Sequence, residues 1–261
     1  KSMGGKKKIA KDHHIETKYY DDNKNFNKLK KDFFEKKIKF IKKLGFKENA
    51  IVFIPHYITH HYHAFYSSPN RHYKDAIIIH CEGDGGKYNH AISKPSEKSG
   101  IKFLSGTNKF NLGRLYQWTT LNLNMLPYHD EYKVMGLAPY GKPLYADLIR
   151  DKLVAIAEDG SFQLDMSYFE YATGLTMTNK KFEALFGGPP RASEAELTQR
   201  EMDLAASVQK VTEEIVVALA KGIARETGER NLCLAGGVAL NCVVNGILVR
   251  QNIFDNIWIQ P

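Results

Sequence analysis

Cysteine is scarce in these 261 residues: Cys81, Cys233 and Cys242 stand far apart, with no Cys-x-x-Cys spacing for zinc and no even number for a disulfide framework. They are expected to be reduced, mostly buried small hydrophobes. Long apolar runs are missing too. None approaches the roughly 18 residues of a spanning helix, and Lys6 to Lys8 are not followed by the apolar core of a signal peptide. A soluble, cytoplasmic protein with no membrane partner is the expectation. Arginine is absent from residues 1–50, which hold sixteen lysines against seven acids, so this segment carries +9 and the rest of the chain −1. The basic excess is therefore local, and with no arginine or stacking motif it reads as a solvated lysine-rich surface, not a nucleic-acid footprint. No self-similar period of about 20 to 50 residues argues for a solenoid.

What is present suits one large or two small globular domains: 43% of residues are hydrophobic and 25% charged. Residues 1 to about 25 are polar and read as a loop. Phe26, Leu29, Phe33, Ile38, Ile41 and Leu44 follow helical spacing, with Gly45 where a C-terminal cap belongs. The run Ala50–Ile54, closed by Pro55, predicts a buried strand, as do Ala76–Cys81, Ile101–Leu104, Asn231–Leu234 and Ile257–Ile259. Helices are predicted from Asn111 toward Leu126, over Tyr145–Glu158, and along a broad apolar stripe from Met202 to Ile223 that Gly228 ends.

Three stretches carry chemistry. His56 and His60 lie one turn apart if their segment is helical, and imidazoles at i and i+4 can grip one transition metal, with His63 a possible substitute. Packed or solvent-facing rings are the plainer alternative. A metal hydrolase would need the glutamate of a His-Glu-x-x-His motif, which this segment lacks. Next, Glu82-Gly83-Asp84-Gly85-Gly86 is an acidic glycine turn, fit either to reverse an antiparallel hairpin or to bring a carboxylate near metal or phosphate. Last, Leu234-Ala235-Gly236-Gly237-Val238-Ala239-Leu240-Asn241 puts paired glycines between a strand and a helix. They serve either a tight turn or close approach of a nucleotide to backbone N–H groups. Between them, Asp130-Glu131-Tyr132-Lys133-Val134-Met135-Gly136-Leu137-Ala138-Pro139-Tyr140-Gly141 is too rich in adjacent charge, glycine and proline for an ordinary surface helix, although Glu131 and Lys133 could simply be a solvated pair.

In this order, with Leu197-Thr198-Gln199-Arg200 and the closing Ile257-Trp258-Ile259-Gln260-Pro261, these blocks resemble the O-carbamoyltransferases of nodulation-factor and antibiotic biosynthesis. The resemblance runs from about residue 48 to the end. It implies an α/β fold of the actin/sugar-kinase/Hsp70 (ribonuclease H-like) type, with mixed sheets flanked by helices and incomplete at both ends. Residues 1–47 are expected to be a lysine-rich N-terminal segment with one amphipathic helix, and 48–261 a partial transfer domain of two lobes split near 190–200. It also implies that a separate C-terminal domain makes carbamoyl-adenylate from ATP and carbamoyl phosphate, and that this part transfers the carbamoyl group to an acceptor alcohol. His56 and His60 would hold a divalent metal, iron by preference. Gly236, Gly237, Asn241, Glu131, Lys133 and one or both of Glu82 and Asp84 would meet the adenylate. The sequence departs from the family at Tyr57, His61, Tyr62 and His63, where rings replace the usual neighbours of the metal histidines, and at the phosphate turn, here Glu82-Gly83-Asp84-Gly85. No upstream His-Asp-Ala-Ser-type loop and no terminal Gly-Asp-x-Gly segment are found. A non-catalytic nucleotide- or metal-binding module acting with a partner domain is the alternative.

Overall fold

The computed structural model describes residues 24–72, 74–83, 88–108, 111–170 and 178–260. Two compact units divide at Ile54/Pro55. The first holds α1 (Lys24–Lys43), which carries Lys42 and Lys43 in its last turn, the basic end its dipole favours. Gly45 follows at φ +93°, a left-handed backbone suited to glycine. Ala50–Ile54 is not the strand its apolar run predicts: Ala50 ends a 3-10 turn, Ile51–Ile54 are irregular, and Val52 and Ile54 are exposed. A short apolar run takes the strand form only where another strand pairs with it, and among the described residues none does.

The second unit is built on a five-stranded mixed sheet in the order β3-β2-β1-β6-β7, from β1 (Ala76–Cys81), β2 (His90–Ser96), β3 (Gly100–Thr107), β6 (Asn231–Ala235) and β7 (Asn256–Ile259). The first three form an antiparallel meander, as the glycine turn after Cys81 predicts; β6 and β7 extend it in parallel, with Ile78 opposite Cys233 and His80 opposite Ala235. This is the mixed α/β nucleotide-type architecture expected from the sequence. β1 and β6 are buried along their whole length, so both faces are covered. Alternate residues Ala76, Ile78, Cys233 and Ala235 pack with Ala64 and Phe65 of α2 (His56–Ser67). The intervening Ile77, Ile79, Leu232 and Leu234 meet Ala220 and Ile223 of the long α7 (Gln199–Thr227) and Val244 and Leu248 of α8 (Cys242–Arg250).

α7 has 29 residues, roughly 43 Å of helix, long enough to serve two cores. Its C-terminal half covers the sheet. Leu204, Val208, Val211 and Ile215 instead join a second cluster with α3 (Leu112–Asn122), α4 (Glu131–Leu137) and the aromatic group Trp118, Phe182 and Phe186, the last two from α6 (Lys180–Leu185) and its C-cap. The ends of α7 follow their sequence signals: Thr198 N–H donates to Glu201 Oε2 at 3.0 Å, and Gly228 closes the helix at φ +70°.

The helix expected over Tyr145–Glu158 is shorter. One turn at Ala146–Leu148 (α5) passes into a π-turn, Ile149–Leu153, and then into β4 (Val154–Ile156), which pairs with β5 (Phe162–Leu164). The reason is Gly160: a Cβ there would lie 2.1 Å from Leu219 N, and one on Gly222 would lie 2.4 Å from Asp159 O, so two glycines let the hairpin tip rest directly on α7. Tertiary fit at the tip overrides the local helical pattern.

Candidate functional site

β1 and β6 run parallel and end side by side, each in a glycine turn. Open sheets of this kind present ligands at the carboxyl ends of their strands. The strand period carries Ala76 and Ile78 toward α2, and His80 and Glu82 continue that series past the end of β1. The helix period does the same from the other side: His56, His60 and the fully buried Ala64 form one i, i+4 stripe on α2. Where the two series meet, the side chains of His56, His60, His80 and Glu82 place one ligand atom each within 4.8 Å of one another.

The geometry centres on one oxygen. Glu82 Oε2 lies 3.0 Å from the Nε2 atoms of both His56 and His60 and 3.3 Å from His80 Nε2. The His60 and His80 rings stack with centroids 5.0 Å apart, and His56 meets His60 edge-on at 4.6 Å. Burial grades across the group: the His80 side chain is fully buried, that of Glu82 20% exposed and that of His56 51% exposed, so the cluster opens on the His56 side. Burial works to raise the Glu82 carboxyl, but hydrogen bonds from His60, His80, the Gly237 N–H and His56 outweigh it and hold Glu82 well below the usual carboxylate range. Burial lowers His80, with the Glu82 bond opposing it. Three convergent imidazole nitrogens and one ionised oxygen form a donor set that fits a divalent transition ion.

The Gly236–Gly237 turn supports this carboxylate. Gly236 sits at φ +91°, and a Cβ on it would lie 2.4 Å from Cys81 O, so only glycine lets β6 end against β1. Gly237 N–H donates to Glu82 Oε1 at 3.0 Å. Asn241 caps α8 by accepting from Val244 N–H at 3.1 Å, while its amide nitrogen donates to Gln209 Oε1 at 2.8 Å. Gly113, at the start of α3, is needed for the same reason as Gly236: a Cβ there would lie 2.3 Å from Gly83 N.

Beside the cluster opens a cavity of about 340 Å³, which Glu82, Gly237, Asn241 and Glu131 all line. Four of the sequence-predicted site residues are thus brought to one space, and Gly236 borders them through its neighbour. Lys133 is not among the lining residues. It pairs with Asp130 at 2.9 Å in place of the Glu131–Lys133 pair expected as the plainer alternative, and Glu131 accepts from Tyr128 N–H at 2.7 Å. Asp84 lies outside the described residues, so of the two candidate acids Glu82 alone can be placed. His63 is exposed and stands apart from the cluster. Sequence reasoning missed His80. Its signal was the strand period, since His80 and Glu82 stand two apart at the end of a predicted strand. Cys81 and Cys233 are buried as expected, whereas Cys242 is exposed; all three are free. Among the described residues no helix is long and apolar enough to cross a membrane.

Fold and cluster together define an α/β nucleotide-type domain with a candidate metal centre at the carboxyl edge of its sheet. Residues 7–261 match the family model described as Carbamoyltransferase N-terminus, and the chain belongs to that family. It is 47% identical over 211 residues to an uncharacterized protein of Synechocystis, covering 81% of this chain and 34% of that protein. Nodulation protein NolNO of Sinorhizobium fredii is 32% identical over 214 residues, covering 82% of this chain and 29% of that protein. Nodulation protein NolO of Bradyrhizobium diazoefficiens is 30% identical over 203 residues, covering 77% and 35%. The chain therefore spans about a third of the length of the curated relatives it matches.

Proposed function

We propose that residues 55–261 form the transfer site of an O-carbamoyltransferase, taking the carbamoyl group from carbamoyl-adenylate to an acceptor hydroxyl. In this reading carbamoyl-adenylate is made from ATP and carbamoyl phosphate by an adenylate-forming domain elsewhere in the whole protein, as the family resemblance implies. The observation that carries the proposal is the convergence of three imidazoles on a carboxylate that also lines the neighbouring cavity, in a chain of this family.

His56, His60, His80 and Glu82 would hold a divalent ion, Fe²⁺ being the first candidate. Such an ion supplies Lewis-acid polarisation of the carbamoyl carbonyl and neutralises charge on the phosphate. The residues themselves do the rest. Gly237 N–H fixes the Glu82 carboxylate so that its other oxygen faces the histidines. Gly236, with no side chain, lets β6 end against Cys81 O and so brings Gly237 to that carboxylate. In the step proposed, the acceptor oxygen bonds to the carbamoyl carbon, the carbon–oxygen bond to the phosphate of AMP breaks, and AMP leaves with that electron pair. The hydroxyl proton passes to solvent water, which the cluster meets on its open His56 side.

The test is transfer of isotopically labelled carbamoyl from carbamoyl phosphate to an alcohol by the longer protein that carries this chain, with ATP and Fe²⁺ present. Label in the acceptor, lost in the His56→Ala, His60→Ala double variant, is the expected result. Label transfer undiminished in that variant overturns the site assignment.

A further inference from the structure

Behind the four candidate metal ligands lies a second pair of side chains, His61 and Ser93. We propose that His61 is a positioning residue for the metal centre: its Nε2 accepts the Nδ1–H of His80 and so holds that ring with its other nitrogen toward Glu82, while Ser93 fixes His61 in turn. The proposal rests on the reading of His56, His60, His80 and Glu82 as metal ligands.

Placement is the first argument. Tyr57, His61 and Phe65 form a buried stripe on α2, one residue round from the stripe that carries His56 and His60. Ser93 stands opposite Ile78 in the sheet, and Ile78 packs with α2, so Ser93 faces the same helix. His61 Nδ1 lies 2.8 Å from Ser93 Oγ, and both residues are 1% exposed. The His61 and His80 rings meet edge to face, with centroids 6.1 Å apart and planes at 74°. His61 is also one of the positions at which the sequence departs from the family pattern.

Unmet hydrogen bonding is the second argument. His61 Nε2 and His80 Nδ1 are both buried, and among the described residues neither has a hydrogen-bond partner. Each such atom weakens the fold. Burial favours the neutral form of both rings, and a neutral imidazole has one N–H and one bare nitrogen. An imidazole that holds a metal through one nitrogen keeps its proton on the other and donates it to an outer partner. Nε2 of His80 is the nitrogen that faces Glu82, which leaves the proton on Nδ1. A His61 that donates from Nδ1 to Ser93 Oγ has Nε2 bare. The two orphans then become one donor and one acceptor, and a single hydrogen bond satisfies both.

Packing is the third. A Cβ on Gly236 would lie 3.0 Å from His80 Cδ2, and His60 stacks on the same ring, so the slot confines its tilt. Shape alone does not separate the two flips of an imidazole; a hydrogen bond does.

Metal binding tests this without turnover. The chain is titrated with Zn²⁺ alone, in competition with a chromophoric chelator, and urea midpoints are measured beside it. His61→Phe keeps the bulk of the ring and removes both nitrogens, and should bind Zn²⁺ about tenfold more weakly. His61→Gln, whose amide oxygen can stand near the place of Nε2, should recover most of that loss. In proton–nitrogen NMR spectra of the zinc-loaded chain, His80 should carry its proton on Nδ1, in slow exchange with solvent, and that protection should be lost in His61→Phe. A His61→Phe protein with a lower urea midpoint but undiminished zinc affinity would make the pair a mere tie between α2 and β2 and overturn the inference, as would a His80 proton on Nε2; both outcomes leave the metal centre standing. Where His61→Phe does not fold, Ser93→Ala decides: weaker zinc binding supports the inference, and unchanged binding overturns it. A parent chain that binds no zinc overturns the inference together with the metal centre. Zinc affinity that depends on His61 supports it even if the longer protein transfers no carbamoyl group, a result that counts against the proposed function alone.

Discussion

Two glycine turns lie side by side at the carboxyl edge of the sheet, and they do opposite things. The turn after β1 projects a side chain, Glu82, into the histidine cluster; the turn after β6 has no side chain and presents an N–H to that same carboxylate. The first needs a charge, and the second needs the absence of a Cβ. Even within the second turn the demands differ. Gly236 is required by its φ and by the nearness of Cys81 O at 2.4 Å, both fixed by backbone, whereas a Cβ on Gly237 would meet only the Glu82 carboxylate oxygen, at 3.0 Å. Gly236 is thus a folding residue and Gly237 a site residue, although they are neighbours of the same type.

Substitutions can break this contrast. Gly236→Ala should destabilise the second unit by about 3 kcal/mol, the sum of a left-handed alanine and a backbone clash, read as a lower urea midpoint at unchanged slope. A midpoint within error of the parent would show that β6 does not end against β1 as described. Glu82→Gln should leave the fold in place and weaken metal binding by about a hundredfold, since it removes the anionic ligand. Gly237→Ala should cost less than about 1 kcal/mol in stability, yet weaken metal binding by about tenfold as Glu82 is pushed off its position. That loss should vanish when Gly237→Ala is added to Glu82→Gln, because the two residues act through one contact. Additive losses would separate the turn from the carboxylate.

A change of pH probes the interior beneath the turns. His90, opposite Cys81 in the sheet, is lowered to about 4, first by burial and then by His80. Its folded value lies below its unfolded one, so it contributes fully above pH 6.5 and its contribution is lost as pH falls toward 4, at up to about 1.4 kcal/mol per pH unit. Urea midpoints across that window should fall more steeply for the parent than for His90→Gln. Parallel curves would mean that another group sets the acid limit.

Much of the sheet was readable in the residues because β1 and β6 are short, mostly apolar and followed by glycine turns, the pattern of strands buried on both faces. The long helix was readable from a stripe that never lost phase. Ala50–Ile54 failed because an apolar run does not reveal whether a partner strand exists, and Tyr145–Glu158 failed because contact with α7 decided it. At the site, the helical pair His56 and His60 and the glycine turn stood out as local patterns. His80 did not, since inside an apolar strand a single histidine looks like core, and only the approach of α2 shows which face it is on. That Gly237 serves Glu82, 155 residues earlier, is a fact of strand pairing that no local spacing carries.

The central claim is that these four residues make one metal site. Its most direct test is metal content: the chain is loaded with Fe²⁺ under reducing, oxygen-free conditions, desalted, and its bound iron measured beside the His56→Ala, His60→Ala double variant. One ion per chain in the parent and essentially none in the folded double variant is the predicted result. Equal iron in both, or none in the parent at any divalent metal tried, would contradict it.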